Sequence, residues 1–241
     1  MEPSSTCFIT AVDTDAGKSF LAGLLYRALR RRGVAAAALK PVACGVNGEG
    51  VNPDVARLRA LQPEAEEINF HTTRAPRAPL FAGPVARGEL LDWCRRKTAR
   101  PGVTLIEGVG GLMVPLAEGF TQLDWILSLP KALVVLVVPA RLGCLSQMLT
   151  HLSLLDALDR RPWLVVNCID QDALSFGKEC LQAADSWFPW VPAELLPPEA
   201  DDCPALTDRL CRPPAPPVAT VRPRPYIPGR PPYQAEVNPT R

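Results

Sequence analysis

No long run of like charge interrupts this chain, the basic stretch RALRRRG at 27–33 reading as the end of a helix. Its 26 basic and 25 acidic residues leave a formal net charge of +1, which gives nucleic acid or an acidic membrane no footprint to bind. No Cys-x-x-Cys occurs: the cysteines stand apart at 7, 44, 94, 144, 168, 180, 203 and 211, without the spacing of a metal cluster. Only two histidines are present, His71 and His151, neither at metal-ligand spacing, and His151, on an apolar helix face, reads as structural. Long hydrophobic runs are missing too. The longest, ALVVLVVPA at 132–140, is too short to span a bilayer and reads as a buried strand. MEPSSTCFIT at the start has no basic region of the kind that opens a signal peptide. With scattered free thiols, that predicts a reduced, cytoplasmic setting.

A hydrophobic content of 47% is ample for a packed core. Apolar, β-type runs at 7–12, 34–42, 103–108, 132–138 and 163–169 alternate with helix patterns at 18–32, 53–61, 84–98, 121–129, 143–158 and 173–187. Runs apolar on both faces are strands of a helix-covered parallel sheet. The alternation predicts an α/β, doubly wound fold with helices on both faces, whose ligands lie at the carboxyl ends of the strands. From Arg212 onward ten of thirty residues are proline. Proline fixes φ and removes a donor, so the expected organisation is one domain over 1–211 and a disordered, proline-rich tail over 212–241.

The stretch AVDTDAGKS, residues 11–19, ends like a phosphate-binding loop. Such a loop aims backbone N–H groups at phosphate from the head of a helix, while its lysine reaches the outer phosphates and the next hydroxyl ligates Mg²⁺. The usual pattern has a glycine five residues before Gly17; Val12 stands there. If Ala11 had to adopt a positive φ, the strain would cost about 1–2 kcal/mol. Lys40 closes the second strand, where a charge is costly to bury without a partner. Asp54 lies near a helix start and reads either as a cap or as a ligand. Glu107 stands at a strand tip before a glycine-rich loop, a natural Mg²⁺ ligand in a nucleotide-binding fold.

Taken in order, these motifs resemble the dethiobiotin synthetases. That family's loop reads Gly-Thr-Asp-Thr-x-Val-Gly-Lys-Thr, against Ala11 to Ser19 here. Its Lys-Pro-Val-x-Ser-Gly matches Lys40 to Gly45, and its Glu-Gly-Ala-Gly-Gly matches Glu107 to Gly111. Its Leu-Gly-x-Ile-Asn matches Leu142 to Ser146, and its strand-end Asn matches Asn167. The resemblance spans roughly residues 6–200. It departs at Ala11 and Val12, at Cys44 (a serine in the family) and at Ser146 (an asparagine).

The resemblance implies an ATP- and Mg²⁺-dependent ligase that closes a cyclic urea on 7,8-diaminononanoate with CO₂, giving dethiobiotin, ADP and phosphate. It implies catalytic roles for Lys40 and Lys18. Asp15, Ala16, Gly17, Lys18, Ser19, Phe20, Asp54, Glu107 and Asn167 would bind nucleotide, Asn167 reading the adenine. Thr14, Cys44, Gly143, Cys144, Leu145 and Ser146 would bind substrate, and Ser19, Asp54 and Glu107 would hold Mg²⁺. A homodimer is expected, with neither nucleic acid nor membrane as partner. The departures keep two alternatives open: a related ligase acting on another small molecule, and a nucleotide-binding pseudoenzyme. A nucleotide switch of the ParA/MinD type lacks support, because the early loop lysine of those proteins is absent from positions 10–13.

Overall fold

A computed structural model describes residues 4–212. The strands are β1 Ser4–Ala11, β2 Ala36–Leu39, β3 Val42–Cys44, β4 His71–Thr73, β5 Gly102–Glu107, β6 Pro115–Ala117, β7 Phe120–Thr121, β8 Leu133–Pro139, β9 Trp163–Asn167 and β10 Ala193–Leu196. The helices are α1 Lys18–Arg31, α2 Pro53–Leu61, α3 Pro79–Ala82, α4 Arg87–Thr98, α5 Gln122–Leu127, α6 Cys144–Ala157, α7 Ala173–Trp187 and α8 Pro204–Cys211. A six-stranded sheet of order β10-β9-β8-β1-β5-β2 forms the centre, and every pairing in it is parallel. The doubly wound expectation holds. α1 packs on α2 and α8, and α6 packs on α7; the chain moves from β1 toward β2 through α1 and from β8 toward β10 through α6 and α7, opposite directions along the sheet, which the right-handed crossover rule translates into opposite faces.

Burial explains why these runs became strands. All of β5 is buried, as are the last five residues of β1 and the last six of β8. Leu21, Leu24, Leu25 and Leu29 recur at helical spacing and put α1 on the sheet. Phe8 meets Trp125 edge-on, with ring centroids 4.8 Å apart. Just past the end of α1, Arg32 pairs with Asp202 at 2.7 Å and with Asp208. Among the described residues, no helix is long and apolar enough to cross a membrane.

Several elements differ from the sequence pattern. The run 34–42 is not one strand. Lys40 N donates to Ile68 O at 2.8 Å and Asn69 Nδ2 donates to Lys40 O at 2.8 Å. This diverts the chain, so β3 pairs with β4 in a separate ribbon. The helix expected from 84 starts at Arg87, because Val85 N donates to Leu116 O at 2.9 Å and is held extended. The edge strand β10, the hairpin β6–β7 and the helices α3 and α8 carry too short a pattern to be seen in sequence. The proline-rich tail lies outside the described residues, apart from Arg212.

Candidate active site

The site forms where β1, β2 and β5 end. Register does much of the work: Leu39 stands beside Ile106 and Ile9 beside Glu107, so Lys40 and Glu107 leave the sheet side by side. Lys40 Nζ donates to Glu107 Oε1 at 2.6 Å and to Gly108 O at 2.7 Å. Both side chains are buried, Lys40 to 3% residual exposure and Glu107 to 0%. Ser19, in the first turn of α1, donates its Oγ to the same Glu107 Oε1 at 2.6 Å. Asp54 is not the cap of α2. Asn52 caps it, accepting from Asp54 N and Val55 N at 3.1 Å each. The Asp54 carboxylate is left free for the site, 3.9 Å from Lys40 Nζ.

The phosphate loop turns through two left-handed residues, Asp15 at φ 56° and Gly17 at φ 100°. Ala11 is not one of them: it is the last residue of β1, in register with Val137, so the strain expected there does not arise. The positive φ falls instead on Gly17, which adopts it freely, and on an aspartate, a type that tolerates it. Lys18 folds back, Nζ donating to Asp13 O at 3.0 Å.

Burial, reinforced by the nearby Lys40 charge, pulls the Lys18 ammonium down to about 8. A phosphate bound there would favour the charged form. Nucleotide binding above about pH 8 is therefore expected to take up protons, and affinity should fall as pH rises through about 8. Titration calorimetry in two buffers of different ionisation enthalpy checks this; no proton uptake would remove Lys18 from the phosphate site.

A cavity of about 420 Å³ opens over these groups. Thr14, Asp15, Gly17, Lys18, Ser19 and Phe20 line it from the loop. Lys40, Cys44, Asp54 and Glu107 line it from the strand ends and α2. Burial raises the pKa of the Cys44 thiol, opposed by Thr73 and Lys40, so it remains a protonated, weak donor. The donor set suits Mg²⁺. Glu107 Oε2 is buried without a hydrogen-bond partner, and Ser19 and Asp54 add two further oxygens. Among the described residues no cluster of three or more His, Cys, Asp or Glu forms a cage.

A family model described as an AAA domain matches residues 5–183. ATP-dependent dethiobiotin synthetase BioD of Aromatoleum aromaticum is 38% identical over 156 residues, 59% of this chain and 68% of the relative. The same enzyme of a Caulobacter species is 34% identical over 215 residues, 84% of this chain and 93% of the relative. The chain belongs to the dethiobiotin synthetase family. Among solved structures, hydrogenase maturation factor HypB from Archaeoglobus fulgidus superposes with a TM-score of 0.54 at 15% identity, covering 86% of this chain and 88% of that one. It shares the fold.

The remaining residues expected from the dethiobiotin synthetase resemblance lie outside the cavity. Ala16 is fully buried, and Asn167 sits behind the loop with Nδ2 donating to Ala16 O at 3.1 Å. Gly143 is the left-handed N-cap of α6. The Cys144 thiol is buried 3.2 Å from the Cys180 sulfur, Leu145 is half-buried and Ser146 is exposed. None of these four faces the phosphate loop's cavity. Sequence reasoning missed Gln122, which is fully buried. It accepts from Val109 N at 2.5 Å and donates to Thr10 Oγ1 at 2.8 Å and Gly111 O at 3.1 Å. It thereby pins the glycine-rich loop over the site. Its only sequence signal is a place just after the cap Thr121. Arg57 and Arg77, which also line the cavity, gave no signal.

Proposed function

We propose that this chain closes a cyclic urea on 7,8-diaminononanoate, using CO₂ and ATP and giving dethiobiotin, ADP and phosphate. The single observation that carries this reading is the Lys40–Glu107–Ser19 cluster facing the phosphate loop in a dethiobiotin synthetase framework. An amine of the diamine attacks CO₂, forming a C–N bond and releasing a proton to give the carbamate. A carbamate oxygen then attacks the γ-phosphorus, and ADP leaves with the electrons of the broken P–O bond. The second amine attacks the carbonyl carbon and expels phosphate, which closes the ring.

The protein's contribution is placement and charge neutralisation. Lys18 and the loop amides around Asp15, Ala16 and Gly17 hold the phosphates, beside Phe20. Lys40 Nζ stands between the loop and the acceptor side of the cavity, where it stabilises charge passing from ATP to the carbamate. Ser19, Asp54 and Glu107 would hold Mg²⁺, which supplies neutralisation of the phosphate oxygens when bound. Asn167, with Nδ2 engaged by Ala16 O, offers Oδ1 to the adenine amino group. Thr14 and Cys44 face the diamine. Gly143, Cys144, Leu145 and Ser146 lie away from this cavity, which fits a role at the substrate carboxylate from a second copy of the chain in a homodimer. A reduced, cytoplasmic setting suits the eight free thiols, and residues 1–211 form the working domain.

ADP release that needs diamine and bicarbonate together supports this reading; release with neither points to another acceptor. Cys44→Ser is expected to lower the diamine KM severalfold, because a hydroxyl donates more strongly than a thiol. A raised KM in steady-state assays would favour a different substrate.

A further inference from the structure

Four basic side chains line the cavity: Lys18, Lys40, Arg57 and Arg77. The two lysines are engaged within the protein, Lys18 on Asp13 O and Lys40 on Glu107 and Gly108 O. The two arginine side chains have no hydrogen bond or ion pair among the described residues. Arg57 lies one helical turn beyond Asp54 on α2, so the two side chains share a face. Arg77 stands in the segment between β4 and α3, next to Pro76, which packs against Gly45 just beyond Cys44. The arginines therefore line the cavity from α2 and from the Cys44 side rather than from the phosphate loop, and in the proposed reaction this is the side of the acceptor.

Charge explains their use. Triphosphate and carbamate would share the cavity with two carboxylates, Asp54 and Glu107. The two lysines and a divalent cation do not balance that many negative charges. A guanidinium stays charged and meets tetrahedral or planar oxyanions with two parallel N–H donors.

We propose that Arg57 and Arg77 form an oxyanion clamp that neutralises the γ-phosphoryl group as it passes from ATP to the carbamate and then holds the inorganic phosphate expelled when the ring closes. The inference rests on the ligase reading above. The clamp acts on the acceptor side only, so it distinguishes the transferred phosphoryl group from the phosphates that remain on ADP.

The test is a titration of inorganic phosphate into the Mg²⁺·ADP complex of wild-type protein and of Arg57→Ala, Arg77→Ala and the double variant. Each single change is expected to raise the phosphate Kd tenfold or more, while the ADP Kd moves less than twofold. Arg→Lys at either position should recover part of the loss. In turnover, kcat should fall at least tenfold with the diamine KM nearly unchanged. Both side chains are exposed and have no partner among the described residues, so melting temperatures should match wild type.

A phosphate Kd unchanged in the double variant would overturn the proposal. So would a rise confined to the diamine KM, since that would assign the arginines to the substrate's carboxylate. The phosphate titration needs no acceptor. If wild-type protein fails to make the cyclic urea, the ligase reading fails on its own and the clamp is still judged by the titration.

Discussion

Lys40→Met is expected to lower kcat by on the order of 10³-fold while leaving the ATP Kd within a few-fold of wild type. The split follows from where the ammonium stands. In the proposed reaction Lys18 and the loop amides hold the nucleotide in its ground state, whereas Lys40 faces the charge that moves to the carbamate. The same change strips Glu107 of its charged partner and leaves it only the Ser19 hydroxyl. A buried carboxylate left unpaired costs about 3–5 kcal/mol of stability, and Glu107 is 0% exposed with Oε2 already unpartnered. Methionine preserves the stem's volume, so this cost reports the charge and not a cavity. Adding Glu107→Gln should return most of the stability but none of the activity. Chemical denaturation and single-turnover kinetics on both variants check the two halves separately. Turnover retained in Lys40→Met would remove Lys40 from the mechanism.

Gly17→Ala should weaken ATP binding roughly 100-fold, the equivalent of about 3 kcal/mol. Two costs combine. Gly17 holds φ 100°, which an alanine adopts at about 1–2 kcal/mol. Its added Cβ would also stand 2.2 Å from Asn167 Nδ2, so the amide that braces Ala16 O must move. The costs separate in an Asn167→Ala background, where the collision is gone and only the backbone strain remains. There, Gly17→Ala should weaken binding by only about tenfold. Equal penalties in the two backgrounds, measured by nucleotide titration, would show that Asn167 does not brace the loop.

The sequence showed the chemistry of the site better than its surroundings, for a physical reason. Gly17, Lys18, Ser19, Lys40 and Glu107 sit at the ends of strong apolar strands, and strand ends in a parallel sheet converge. Their meeting could be read from local pattern alone. The departure at Ala11 and Val12 looked like a defect, yet Ala11 simply completes β1 and the left-handed turns fall at Asp15 and Gly17.

What the sequence hid depends on long-range hydrogen bonds or on orientation. Asn69 draws the chain away after Lys40 from 29 positions along. Gln122 reaches Thr10 across 112 positions. β10, bounded by Pro192 and Pro197 and only part-buried, has no long apolar run to mark it. Arg57 and Arg77 are ordinary surface arginines until the fold sets them around one cavity.

The central claim is the reaction itself. It is tested most directly by incubating the full chain with ATP, Mg²⁺, ¹³C-bicarbonate and 7,8-diaminononanoate and reading the products by mass spectrometry. The account predicts a cyclic urea carrying the label in its carbonyl, with one phosphate and one ADP formed per ring. ADP formed without labelled urea, or no ADP at all, would contradict it.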